Sequence, residues 1–225
     1  MKSKTALQIL ALSNALADIH AWVVANYGFD KITGRTIIEF PNWDALSLSF
    51  IDAIRCKPAE QWSKRDCAVF HEAVVMDWRW HLLLKNLPLS EFITMAMVNY
   101  PVQALTMYLL VEARRISDLA TLQRLALHHF ETNPDATLRD EAFQLLARTK
   151  WSQTEKYAES FWSSGDLVQR ITALQVLQSY ESDLLPRYLE LADLTLDPSL
   201  IRIAGATRTI EALKKTKNTI PRMTT

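Results

Sequence analysis

DATLRDEAFQLLART (135–149), DLVQRITALQVLQSY (166–180) and DPSLIRIAGATRTIEAL (197–213) are three versions of one pattern. Asp135, Asp166 and Asp197 stand 31 residues apart, and Arg139, Arg170 and Arg202 follow at intervals of 31 and 32. Three residues after each arginine comes a small residue, Ala142, Ala173 or Gly205. Aspartate accepts hydrogen bonds from the free N–H groups at a helix start, so each segment reads as a capped helix whose small residue interrupts an apolar face. Between them lie LATLQRLALHHFE (119–131), WSQTEKYAESFW (151–162) and LLPRYLELADLTL (184–196), each with its own apolar stripe. The chain therefore alternates helix A, turn, helix B. A helix pair that cannot bury its apolar face alone stacks on its neighbours, and a fixed period near 31 is the mark of such a solenoid. The aspartates and arginines are expected to form a capping and ion-pair ladder from repeat to repeat.

Residues 117–215 resemble the HEAT-like family, whose second helix reads as an aspartate turn, a hydrophobe, an arginine and small residues; DPSLIRIAGATRTIEAL after LLPRYLELADLTL matches best. Asn99 and Gln103 in NYPVQALTMYLL look like one more decayed unit, 36 residues upstream. The resemblance implies a right-handed α-α superhelix of HEAT-like helix pairs. Composition agrees on the class: only 4 glycines in 225 residues leave few positions for turn-rich sheet, so the chain is expected to be all-α.

The expected organisation is one domain, 1–225, with an irregular Trp-rich helical part at 1–100, the HEAT-like repeats at 101–215 and a basic tail at 216–225. Segments 3–25, 43–56, 63–85 and 89–99 read as helices, punctuated by Pro41, Pro58, Pro88 and Pro101. YGFDKITGRTIIEFP (27–41) reads as a long loop with room for a short strand. The first residues, MKSKTALQILALSNALAD, imitate a signal peptide, but Gln8, Ser13 and Asn14 interrupt the apolar run. Ile9, Leu12, Leu16, Ile19 and Val23 recur at 3, 4, 3 and 4, the stripe of an amphipathic helix. No apolar run reaches the roughly 20 residues of a membrane span, so no membrane association is expected.

Charge excludes other classes. Twenty-five basic residues balance 25 acidic ones, in both halves of the chain alike, so no global field holds nucleic acid. The local exception is the tail, where Lys214, Lys215, Lys217 and Arg222 are unopposed and suit the end of a solvated helix. Cys56 and Cys67 form no CxxC motif and read as reduced thiols of a cytoplasmic protein.

HEAVVMDWRWH (71–81) concentrates the residue types of an active site. A helical zinc site needs HExxH; here Val75 stands where the second histidine belongs, and His81 lies about 15 Å along a helix from His71. Asp77 and His81, at i and i+4, read as a surface or semi-buried pair. Val74, Val75, Trp78 and Leu82 are expected to form the buried stripe, which turns Arg79 and Trp80 to other faces. His128 and His129 diverge by about 100° on a helix, so they do not face one metal. No GxSxG, GxxxxGK or GxGxxG motif occurs. The expectation is no metal, no cofactor and no catalytic residue.

The expected function is thus a non-enzymatic protein-binding module, in one form a bacterial immunity or inhibitor protein that binds and neutralises a toxin. Its contact residues are expected among Trp78, Arg79, Trp80, Arg148, Gln169, Gln178 and Arg208, with homodimerisation through an exposed terminal repeat a further expectation. The alternative is an enzyme on the same scaffold, a HEAT-like DNA glycosylase acting on alkylated purines. That class implies tryptophans and an aspartate in a basic groove, which Trp78 and Asp77 match only loosely. A tetrapyrrole-binding helical solenoid is a third, weaker reading.

Overall fold

The computed structural model describes residues 4–27, 40–77, 82–164, 166–192 and 203. Among them are eleven α-helices and no strand: α1 (Lys4–Tyr27), α2 (Trp43–Cys56), α3 (Lys64–Met76), α4 (Leu82–Lys85), α5 (Leu89–Ala96), α6 (Gln103–Ala113), α7 (Leu119–Thr132), α8 (Ala136–Arg148), α9 (Thr154–Ser164), α10 (Leu167–Tyr180) and α11 (Leu185–Leu191). The all-α class is as the glycine count required. The possible strand near 36–38, the third repeat beyond residue 196 apart from Ile203, and the basic tail lie outside the described residues. The chain divides into two compact units, one of residues 1–117 with 131–138, the other of 118–130 with residues from 139 onward.

In the first unit, Leu12, Leu16, Ile19 and Val23 are at most 3% exposed, and α1 packs through them on α2 and α3. Helix α2 buries Trp43, Leu46, Phe50 and Ala53, again at helical spacing. The centre is aromatic: Trp62 stacks on Phe70 at 3.8 Å between ring centroids, Tyr100 lies 5.5 Å from Trp62, and Phe50 meets Phe70 edge-on. Trp43 and Trp62 are therefore core residues, and the Trp62 indole N–H donates to the Lys57 carbonyl. Helix α3 opens on a capping box in which Ser63 and Asp66 satisfy each other's backbone N–H groups. Burial raises the Asp66 pKa, but hydrogen bonds from Lys57 and Ser63 outweigh it and hold the carboxyl below its ordinary range.

Two expectations are corrected here. First, Leu7–Tyr27, with a mean hydropathy of 1.4, is long and apolar enough by length and composition to cross a membrane. Its interruptions are mostly uncharged, so they lower the mean little. Second, 63–85 is not one helix. Helix α3 ends at Met76, Asp77 leaves helical geometry at φ −78° and ψ 74°, and α4 begins at Leu82. At the break the Asp77 carboxylate accepts the Leu83 N–H, which in a continuous helix would be bound to the carbonyl four residues back. Val75, expected inside, is exposed, whereas Val74 is buried.

In the second unit, a 31-residue recurrence is visible in the hydrogen bonds. Asp166 accepts from the Gln169 N–H at 3.0 Å, and Asp135, which belongs to the first unit, accepts from the Leu138 N–H at the same distance. Ala142 and Ala173 are fully buried. Trp151 N–H closes on the Leu146 carbonyl as Ser182 N–H does on Leu177, and Tyr157 N–H on Gln153 as Tyr188 N–H on Leu184. Equivalent positions also touch: Gln144 donates to Gln175 at 3.2 Å, and Lys150 lies 3.3 Å from Glu181. Of the arginines in the expected ladder, Arg170 sits over the Trp162 ring at 5.7 Å, and Arg202 lies outside the described residues.

Lys150 and Glu181 end α8 and α10 with left-handed φ of 56° and 62°. A Cβ is disfavoured there, and glycine is the usual occupant. Glu181→Gly is therefore expected to be more stable than Glu181→Ala by about 1 kcal/mol. Both remove the exposed ion pair, so that contribution cancels; equal denaturation midpoints would refute the strain.

Candidate partner-binding surface

The stretch around Asp77 is a structural junction. Asp77 is 2% exposed, and its carboxylate holds the start of α4. At the other end of α4, Arg115 donates to the Leu84 and Lys85 carbonyls, both at 2.6 Å, while its guanidinium lies 4.4 Å over Phe92. An anion at the N-terminus and a cation at the C-terminus match the polarity of the helix dipole. Burial draws the Arg115 pKa down, opposed by the nearby Glu112. Trp78, Arg79, Trp80 and His81 lie outside the described residues, so the Asp77–His81 pair does too.

The neighbouring histidines have other partners. His71 is half-buried against the Tyr108 ring, and burial lowers its pKa despite Glu72 nearby. Glu72 itself lies 2.9 Å from His20 on α1. His129 is fully buried and His128 half-buried. Both cysteines are free thiols; Cys67 is fully buried, and burial raises its pKa, which suppresses the reactive thiolate. An open cleft of about 260 Å³ lies between the end of α2 and α5, lined by Arg55, Pro58, Ser90, Glu91 and Thr94. Arg55 and Glu91 pair across it at 2.9 Å, so its charges cancel rather than offering a field to an ionic ligand.

The residues suited to contact lie on the second unit. Trp162 on α9 is half-buried against Tyr188 of α11, with ring centroids 5.2 Å apart. Arg170 of α10 covers its ring. Tyr188 is buried and donates its hydroxyl to Glu159 at 3.1 Å; burial first, then that hydrogen bond, raises its pKa. Arg187, also exposed, lies 5.8 Å from the Tyr188 ring. One turn from Arg170 is the exposed Leu167, and one turn from Arg187 is Leu191, 64% exposed. Aromatic anchors beneath arginine and surrounded by apolar and charged residues are the composition of an interface hot spot.

Of the residues expected to make contact, Arg148 is exposed at the end of α8. Gln169 and Gln178 are half-buried, and nine residues at 100° each place them on opposite sides of α10, so they do not share one face. Arg208, like Trp78, Arg79 and Trp80, is outside the described residues. Trp162 and Tyr188 were missed because neither interrupts an apolar stripe. A usable signal existed: Tyr157 and Tyr188 are 31 residues apart, which extends the repeat register to the first helix of each pair.

Comparison with protein-family models, with curated proteins and with solved structures finds no match to the chain.

Proposed function

We propose that the protein is a non-enzymatic binding module for another protein, built in its second unit from stacked HEAT-like helix pairs. The 31-residue recurrence of caps, left-handed turns and buried alanines supports the stacking, because each equivalent position meets the same surroundings one unit on. The observation that carries the binding assignment is the Trp162, Tyr188 and Arg170 cluster with exposed Leu167 and Leu191 beside it. Its charge is mixed, arginines with Glu159, which suits a protein surface better than a row of phosphates. Neutralisation of a toxin, as by bacterial immunity proteins, is one form of this function.

The test compares tagged wild type with a Trp162→Ala, Arg170→Ala double variant in affinity capture from native lysate, with nuclease present. A protein retained stoichiometrically by wild type should bind the variant with about 2 kcal/mol less free energy, roughly a thirtyfold rise in Kd. Thermal melting should show the variant folded. If the partner is an enzyme, its inhibition in the complex separates a neutraliser from a scaffold. Equal retention by both proteins would remove the cluster from the interface, and DNA retained when nuclease is omitted, with no protein partner, would favour the glycosylase reading.

A further inference from the structure

Helix α1 carries two apolar stripes, and only one is used by the first unit. The inner stripe meets α2 and α3. The outer stripe, Leu7, Leu10, Asn14, Ala17, Ala21 and Val24, is exposed at every position, with Leu7 at 50%, Leu10 at 42% and Val24 at 38%. Its spacings are 3, 4, 3, 4 and 3, the a and d positions of successive heptads. None of the six is charged, whereas a helix that only closed a core would be polar along this side.

We infer that this face pairs with the same face of a second copy of the chain, as a two-helix coiled coil. The heptad period keeps such a seam in contact along its length, and the alanines allow the helix axes to approach. Asn14 occupies an a position; its amide both donates and accepts, so it can pair with its own copy, and a polar residue there sets register and oligomer number at some cost in stability. No like charges meet across the seam. By register, the charged or titratable flanking positions on α1 are Lys4, Asp18 and His20, and His20 is engaged by Glu72 of α3.

From Leu7 to Val24 the stripe covers 18 residues and rises about 26 Å, on a helix roughly 10 Å wide. A contact of that size lies at or below the low end of stable interfaces, about 1,200 Å² in total, so the dimer forms reversibly with concentration. A membrane is the rival occupant, given the length and hydropathy of Leu7–Tyr27. Crossing a bilayer would strip the inner stripe from α2 and α3, and lying on an anionic surface calls for basic flanks along the face, whereas beyond Lys4 the charged or titratable flanking positions are Asp18 and His20.

Sedimentation equilibrium of the full chain, from micromolar to near-millimolar concentration, tests this. The average mass should rise toward twice the monomer for wild type and stay monomeric for Leu10→Glu, an exposed substitution whose folding is checked by circular dichroism. Asn14→Leu should associate at least tenfold more tightly, because the polar cost at the seam is gone. A wild type that stays monomeric throughout, or a folded Leu10→Glu that dimerises like wild type, would overturn the proposal. So would flotation with phosphatidylglycerol vesicles without self-association.

Discussion

Phe143→Ala is expected to cost about 3–5 kcal/mol of folding free energy, a large share of what a domain of this size possesses. Phe143 is fully buried on α8 and is the hub of the second unit's aromatic cluster. It packs on Phe130 at 5.3 Å, Phe161 at 5.1 Å and Tyr157 at 6.4 Å between centroids. Truncation removes the ring's transfer free energy and leaves a cavity whose walls, held on α7, α8 and α9, collapse only in part. Phe143→Leu, which keeps most of the volume, should cost less than half as much. The urea midpoint reads both, with the slope unchanged if the unfolding unit is the same. Phe161 is adjacent to Trp162 on α9, so the same variant should loosen the proposed contact cluster and weaken partner capture. A loss below about 1 kcal/mol would mean that the site repacks, and that the cluster is not the unit's core.

Asp77→Ala should destabilise by about 1–3 kcal/mol, the cost of leaving a buried N–H without its acceptor. The donor is the Leu83 N–H at the start of α4. Asp77→Asn keeps an acceptor oxygen in place and should lose less. Arg115→Ala removes the clamp on the opposite end of α4, along with its contact to Phe92. If both charges hold the same four-residue helix, the double variant should lose less than the sum of the singles, since α4 can be released only once. Chemical denaturation of the four proteins decides this: full additivity, or an Asp77→Ala protein within about 0.5 kcal/mol of wild type, would show that the carboxylate does not anchor α4.

Much of the fold was legible locally. Scarce glycine and 3.6-residue periodicity led to helices at 4–27 and 43–56 almost to the residue, and the inner stripe of α1 named its own core positions. Asp135 and Asp166 announced two helix starts, because a cap interacts with N–H groups only three residues away. The break at Asp77 had no such signal: neither proline nor glycine marks it, and the acceptor's partner lies six residues ahead. The left-handed turns at Lys150 and Glu181 were hidden for the same reason, being held by helix-end hydrogen bonds and the contact between Lys150 and Glu181 rather than by a glycine.

The candidate surface was the least legible feature. Trp162, Arg170 and Tyr188 belong to three helices, and nothing in their spacing says that they meet. Gln169 and Gln178 looked equivalent as polar residues on one helix, yet the helical rotation separates them. Sequence alone determined which segments become helices and which side of each is apolar, since both follow from propensity, capping and period within a few turns of chain. Tertiary structure alone decided which apolar sides were covered, where a helix was cut in two and which distant side chains converge, because those depend on interactions among segments that no local period encodes.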